Sequence, residues 1–491
     1  MARTKKRRGS NNRSVLEEQH QPAPEPLAKP APVAVASNAG GREGTGTRGG
    51  IAGRIARGSA WTISTRIAGM VGGFVASAFA ARLLGKSDFG VYVLATSIAT
   101  TSAIVAHFGL PRTVVRLVAE SLATDESGKA RGAIRTVGWL NVSGGLAVGA
   151  VLAFGGGQYL AHHVFDSDAL ATVMVLTGAW AAAEGIRFTI SETFRGFHDI
   201  RLASLLGDPL RSVLLAVGFI VLKITVDSTS VRTAVIVSLA ASTVTCLLAA
   251  VFLWPKTRSL RVRARRVKPA MVLAIALPLT LTDLTGMIVA QGDVWVVGAF
   301  RPLGDVGVYG AASRLVIMMS LPLFVMNGVV APMIAELWTQ GRTRALETML
   351  RGAATLATIP SLLGFVVVAI AGGPILRLAY GPHFARGGHI FAILAFGVAF
   401  GVAAGSCNFA LIMTGNHRVV AMVSAVTLVA AISGEIVGAH LAGMTGIAIA
   451  SSGSTVFQNV LLTAMAKKRI GIWTQATLSP RKVRAFLALR G

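Results

Sequence analysis

The sequence predicts an all-α integral membrane protein with about twelve transmembrane helices, in two six-helix lobes related by a pseudo-twofold axis along the membrane normal. Three observations point there. First, 53% of the 491 residues are hydrophobic and 14% are charged, with a mean hydropathy of +0.64; soluble domains sit at about 45–50% apolar and about 25% charged. Second, apolar runs of about 20 residues recur between residues 58 and 466, each long enough to cross a hydrocarbon core of about 30 Å as a helix. A barrel would instead alternate apolar and polar residues in segments of about ten. Third, the chain repeats itself.

The repeat is clearest between Trp61–Glu120 and Leu277–Glu336. Gly69-Met70 returns as Gly286-Met287, and LLGKSDFGVY (Leu83 to Tyr92) returns as PLGDVGVY (Pro302 to Tyr309). Gly90 and Tyr92 have counterparts 217 positions later, at Gly307 and Tyr309, while Gly85 and Gly109 have theirs 219 later, at Gly304 and Gly328. A further echo, Phe194–Ile200 against Met413–Val419, keeps that spacing, so the duplication spans most of each half. An even number of spans per half inserts both copies the same way up, which sets the axis along the membrane normal.

Residues 1–57 hold eleven Lys or Arg against four Glu and almost no large apolar residue. Such a segment buries no core and reads as a disordered basic cytoplasmic tail. Gly44, Gly46 and Gly49 spell GxGxxG but follow no strand, so no dinucleotide fold is implied. Residues 58–254 are expected as the first lobe, 255–270 as a basic cytoplasmic linker held near anionic headgroups, 271–466 as the second lobe and 467–491 as a second basic cytoplasmic tail. The loops at 112–135 and 331–352, in matching places, read as amphipathic segments on the inner surface. With the amino terminus in the cytoplasm, inner segments carry 37 of the 47 Lys and Arg, the outer loops seven and the spans three. That is the positive-inside pattern, so the net charge of +26 records orientation and contact with membrane lipids rather than a nucleic-acid partner.

Nothing in the chain has the form of an enzyme site. His162–Asp168 offers two imidazoles and two carboxylates without metal-ligand spacing and reads as a wet loop, while Cys246 and Cys407 lie inside apolar spans and imply neither disulfide nor metal. Ionisable residues inside spans say more, because each costs about 2.5–3.5 kcal/mol on insertion scales and tends to face a cavity or a partner. Arg66 in the first span and Asp283 in the seventh stand 217 apart, at equivalent places in the two halves, and are expected to meet or face one another. Asp293, toward the outer end of the seventh span, and Arg314, at similar depth in the eighth, line a polar lumen on one reading and form a structural ion pair on another. Glu184, Arg187 and Glu192 read as an interfacial face, and Asp208 with Arg211 as a local pair. His107, Glu435 and His440 are lesser candidates for coupling to protons.

The span leading into LLGKSDFGVYVLATSI (Leu83 to Ile98), the GLPRTVVRLVAE after it (Gly109 to Glu120) and QGDVWVVGAFRPLGDVGVYGAASRL (Gln291 to Leu315) resemble the polysaccharide flippase family of the multidrug, oligosaccharidyl-lipid and polysaccharide exporter superfamily. The resemblance covers about residues 58–466. It implies two lobes in a V, with the first, second, seventh and eighth helices lining a central cavity. It also implies a substrate, an undecaprenyl-pyrophosphate-linked oligosaccharide moved from the inner to the outer leaflet of a bacterial cytoplasmic membrane, near the glycan polymerase machinery. Asp293 matches the acidic residue of the family's seventh helix and Tyr309 the aromatic that opens the eighth, while Arg66 matches the cavity-facing first helix by position alone. Arg66 and Arg314 would then grip the pyrophosphate, since guanidinium binds phosphate oxygens in bidentate fashion, with Asp283 and Asp293 neutralising them in the empty site. The membrane potential, or a coupling H+ or Na+, would drive the step; no cofactor is implied, and no Walker-type loop occurs. Two alternatives stand beside this: a multidrug or cation antiporter of the same superfamily, which expects an acidic, aromatic lumen where this chain has Arg66, and a membrane enzyme that polymerises or ligates glycans, against which the short outer loops argue.

Overall fold

A computed structural model describes residues 48–260 and 264–477, with side chains from residue 61 onward except Thr282, Val329 and Pro332. Most of the expected amino-terminal tail, with its glycine triplet, and residues 478–491 lie outside the described residues. The principal helices are α1 (Arg48–His107), α2 (Leu110–Ala123), α3 (Ser127–Ala153), α4 (Met174–Gly196), α5 (Asp208–Thr225), α6 (Val231–Ser259), α7 (Pro269–Phe300), α8 (Leu303–Met318), α9 (Leu321–Thr339), α10 (Thr343–Tyr380), α11 (Gly388–Ala404) and α12 (His417–Ile470). No strand occurs among the described residues. The protein is therefore an all-α, multi-pass membrane protein, in which each helix satisfies its own backbone hydrogen bonds where lipid offers none.

Among the described residues, eight helices are long and apolar enough to cross a membrane, or nine if α8 and the first turns of α9, bent by 41° at their junction, count as one span. That is fewer than the dozen expected, for identifiable reasons. α1 is two helices joined across a kink at Gly85, whose φ of 73° suits a residue without a Cβ, and α12 is likewise two helices joined at Ala442 and Gly443. α4 is long enough at 23 residues but carries Glu184, Arg187, Glu192 and Arg195. Large apolar side chains such as Trp139, Phe154, Trp254, Ile370 and Leu441 stand exposed on the outer faces of the bundle, as lipid-facing residues should.

The largest core cluster joins the two halves at the end where the repeat motifs lie. Phe89 packs edge-on against Phe384 with centroids 5.6 Å apart and lies 6.1 Å from Tyr380, both in the second half. Three residues on, Tyr92 stacks on Trp180 and meets Phe219 in the first half, and its hydroxyl bonds Ser238 at 2.9 Å. Beside them α1 crosses α8 with backbone against backbone. A Cβ on Gly90 would stand 1.9 Å from the Leu303 carbonyl oxygen, and one on its repeat counterpart Gly307 would stand 2.4 Å from that of Lys86. Glycine at both positions is what permits the approach.

α7 belongs to both halves. Its early residues Val272 and Ala276 are buried with Leu110, Val114 and Val137, whereas Val294 and Val297 join the central cluster. Gly109, with φ of 67°, turns α1 into α2 directly under α7; a Cβ there would lie 2.4 Å from the Ala276 carbonyl oxygen. α2 is amphipathic, burying Leu110, Val114, Leu117 and Val118 while Arg116 and Glu120 pair at 2.7 Å outside. The expected linker is shorter than 255–270, since α6 runs to Ser259 and α7 starts at Pro269, and its Arg265 amide is bonded to the Gly128 carbonyl at 2.8 Å. α12 likewise extends to Ile470, and Thr474 and Ala476 bond back to Ala404 and Ala403, so the described part of the carboxy-terminal segment is packed rather than trailing.

Gly90→Ala is expected to lower stability by about 1–3 kcal/mol, because overpacking against backbone outweighs a helix-propensity gain of about 1 kcal/mol. Gly138→Ala on α3, where a Cβ meets nothing within 4 Å, is the control that should show no loss when melting is followed in detergent.

Candidate functional site

At the His107 end of α1, a cavity of about 430 Å³ opens between the halves. Its walls are Thr100 and His107 of α1, Pro111 and Arg112 of α2, Glu184, Arg187, Phe188, Glu192 and Arg195 of α4, Asp208 of α5, and Asp283 and Met287 of α7.

Its floor is a buried ionic network. Arg187 clasps both carboxylate oxygens of Glu184, one turn before it on α4, and donates to Asp208 Oδ1 at 3.0 Å and to the Gly207 carbonyl at 2.6 Å. Glu184 also accepts from Ser242 Oγ at 2.9 Å and faces Arg211 Nε at 3.5 Å, while Trp180 Nε1 donates to Ser242 at 3.1 Å. Two carboxylates and two guanidinium groups thus neutralise one another, with Arg187 and Glu184 buried and Asp208 closing the set from the exposed side, and such pairing is what lets the buried charges persist. This corrects two expectations. Glu184 and Arg187 are not an interfacial face, and Asp208 does not pair locally with Arg211, because the buried Arg187 takes Asp208 and Arg211 turns to Glu184.

The walls present guanidinium more than carboxylate. Arg112 pairs with Asp283 across the halves at 2.7 Å, and it is the arginine that faces open space, 56% exposed against 18%. Arg195 over Glu192, bonded at 2.9 Å, shows the same order, 42% against 18%. Asp208 is the exception at 63%, but its carboxylate is engaged by Arg187. His107 is buried at the rim with Nδ1 unpartnered and its ring 5.8 Å from Phe188.

Of the four residues expected to form the site, the cavity takes in Asp283 alone. Asp283 does not meet Arg66. The lower part of α7 leans on α2 through Ala276, and two helical turns further on Asp283 arrives beside Arg112. Arg66 is exposed and reaches the second half, its guanidinium carbon 4.7 Å from the centre of the Phe324 ring on α9. Asp293 and Arg314 form no ion pair. Asp293 accepts from Tyr309 Oη at 2.8 Å and Ser451 Oγ at 3.4 Å inside the second half. Arg314, about 140° round α8 from Tyr309, points to the first half instead, donating to Ser77 Oγ at 2.9 Å and sitting 5.8 Å from the centre of the Phe89 ring. Glu435 on α12 interacts electrostatically with Asp293, and neither has a basic partner within 4 Å among the described residues. In the His162–Asp168 stretch His162 Nδ1 lies 3.3 Å from Asp168 Oδ1, and among the described residues no three His, Cys, Asp or Glu side chains gather as metal ligands.

The sequence pattern of the polysaccharide biosynthesis protein family matches residues 55–338. The chain belongs to this family. Its match covers the first half, α7, α8 and nearly all of α9, and so contains every wall of the cavity. A comparison with curated proteins finds no match. Among solved structures, a multidrug resistance MATE family transporter of the MOP superfamily, in an inward-facing conformation, superposes with a TM-score of 0.66 at 14% identity, over 84% of this chain and 98% of that one. The lipid II flippase MurJ, in an inward closed conformation, gives 0.59 at 14% identity over 87% and 90%. An outward-facing conformation of a multidrug resistance MATE family transporter gives 0.53 at 13% identity over 85% and 95%. This family member therefore has the fold of the MOP-superfamily transporters.

Removing one partner from the buried network strands the others. Arg187→Met is expected to cost about 3–5 kcal/mol, whereas Arg112→Gln, which removes a guanidinium already open to the cavity, should cost about 0–1 kcal/mol; thermal melting of the purified variants separates the two.

Proposed function

We propose that this protein is an alternating-access flippase that carries an undecaprenyl-pyrophosphate-linked oligosaccharide from the inner to the outer leaflet of a bacterial cytoplasmic membrane, with both termini in the cytoplasm. The observation that carries the reading is the polarity of the seam between the halves. It is closed by backbone contact at Gly90 and Gly307 and open, with Arg112 and Arg195 exposed, at the other end. The same reading counts the breaks at Gly85 and Ala442–Gly443 as reversals and α4 as a span, so the chain crosses twelve times, as two lobes of six. The better superposition on the inward-facing relative than on the outward-facing one favours a cavity that opens to the cytoplasm.

The chemistry follows from the charges. A pyrophosphate and sugar hydroxyls do not cross hydrocarbon unaided, whereas the prenyl chain is at home there, so the passage need only shelter the head group. Arg112 and Arg195, already turned outward from Asp283 and Glu192, would receive the phosphates. Arg66 and Arg314, farther along the seam, would hold them as the halves rock, and Asp283 re-pairs with Arg112 when the head group leaves. Outward movement of one negative charge gains about 2.3 kcal/mol per 100 mV of inside-negative potential, so no nucleotide is required. Asp293 and Glu435, two carboxylates with no Lys, Arg or His within 4 Å among the described residues, supply the place where H+ or Na+ would couple the second lobe to the cycle.

In proteoliposomes, the protein is expected to move a lipid-linked oligosaccharide to the far leaflet. Arg66→Ala and Arg112→Gln/Arg195→Gln should slow that movement by about tenfold or more. No movement above empty liposomes in the unsubstituted protein contradicts the assignment, and export of an organic cation in its place would support an antiporter. Asp293→Asn should abolish the dependence of the rate on pH or Na+ while leaving substrate binding intact; an unchanged dependence removes Asp293 from coupling.

A further inference from the structure

The end of the molecule sealed by Gly90 and Gly307 carries a second set of cations that the passage does not use. Lys86, just past the break in α1, and Arg386, in the turn between α10 and α11, converge over Gly304. A Cβ built there would lie 3.6 Å from Lys86 Cδ and 3.7 Å from Arg386 Nη2. Arg386 Nη2 is 2.9 Å from Asp305 Oδ1, and Arg301 Nε is 3.4 Å from Asp305 Oδ2. Arg301 is braced against the α12 break, its guanidinium carbon 3.3 Å from where a Gly443 Cβ would stand. Three chain reversals thus deliver three cations to one spot.

The carboxylate paired with two of these cations, Asp305, lies underneath. Asp305 is 15% exposed, while Arg386 and Arg301 are 50% and 40% exposed, so the acid orients two guanidinium groups and leaves their outer edges free. Lys86 has no carboxylate within 4 Å among the described residues, and Asp88, two positions on, pairs with none of the three. Arg82, nearby, is committed elsewhere, donating to the Leu378 and Ala379 carbonyls at the end of α10. Lys86 and Asp305 occupy equivalent places in the repeat, as LGK and LGD, and both lie beside the contact that closes the passage, Lys86 through its carbonyl against Gly307 and Asp305 one residue from Gly304.

We propose that Lys86, Arg301 and Arg386 form a diphosphate-binding site at the outer mouth, which takes the head group of the transported lipid as the Gly90–Gly307 contact opens and releases it to the outer leaflet. Among Lys86, Arg301, Arg386 and Asp305 the excess is two positive charges. That matches a diphosphate better than the single charge of an ordinary phospholipid head group, and the two exposed guanidinium edges suit paired phosphate oxygens. The inference rests on the flippase reading and on the orientation given with it.

The test reads the site locally. Full-length protein in phosphatidylcholine nanodiscs is treated with a water-soluble amine-acylating ester, and acylation of Lys86 is measured by mass spectrometry with and without farnesyl diphosphate. The diphosphate is expected to slow acylation of Lys86 by about fivefold or more, and this protection should weaken as salt is raised. Arg386→Gln and, separately, Arg301→Gln should lose the protection, whereas Arg112→Gln/Arg195→Gln, which empties the inner cavity of free guanidinium, should keep it. No protection at saturating farnesyl diphosphate overturns the proposal. So does equal protection by nanodiscs of phosphatidylglycerol, which would assign the cluster to ordinary anionic lipid. Movement of substrate by the same preparation without protection of Lys86 sinks this inference alone, and protection without movement sinks the flippase reading alone.

Discussion

Two glycines, related by the internal repeat, let the backbones of α1 and α8 touch, and most of the architecture depends on that contact. Gly90 and Gly307 are counterparts, and each sits where a methyl group would strike the other strand of the seam. Because the contact involves main chain on both sides, it fixes the distance between the halves at one end without help from side-chain chemistry. Phe89 and Tyr92, flanking Gly90, then carry the packing into the second and first halves respectively. In lipid, where apolar surface gains little by being hidden from other apolar surface, such close backbone approach is a principal source of helix association.

A second constraint governs the charges. An ionised group inside the bundle persists only with a partner or with access to water, and this chain shows both solutions side by side. Glu184, Arg187, Asp208 and Arg211 take the first, forming a closed neutral set. Arg112 and Arg195 take the second, each keeping a carboxylate behind it while its own guanidinium faces the cavity. The first set gives the wall rigidity, and the second gives it a sign. On the proposed reading the sign is what selects a phosphate-bearing head group over an organic cation.

Much of this was legible in the residues and some was not, for physical reasons. Recurrent apolar runs and the LGK–LGD repeat announced a duplicated helical membrane protein, because lipid leaves few alternatives to helices. The repeat also singled out Asp283, which does line the cavity. It misjudged the partner, since equivalence between halves says nothing of tilt, and the lean of α7 on α2 delivers Asp283 to Arg112. Glu184 and Arg187 read as an interfacial face because an i,i+3 pair looks the same on a wet face as inside a bundle. The cue available was the one applied to Arg66, namely charge within a span. Asp293 and Arg314 lie at similar depth in the hairpin, but rotation about α8 sends Arg314 to Ser77 and leaves Asp293 to Tyr309.

The central claim is that the repeat contact is a seal that opens when the cavity end closes. Its most direct test is the distance between spin labels at Ser87 and His383, across the sealed end, and between labels at Thr124 and Gln340, at the other end, with Cys246 and Cys407 replaced. Without substrate the first pair is expected to give one short, narrow distribution; with lipid-linked oligosaccharide and a membrane potential, a longer population should appear there as the second pair shortens. A first pair that never lengthens while the substrate still crosses would show that the passage does not run through the Gly90–Gly307 seam.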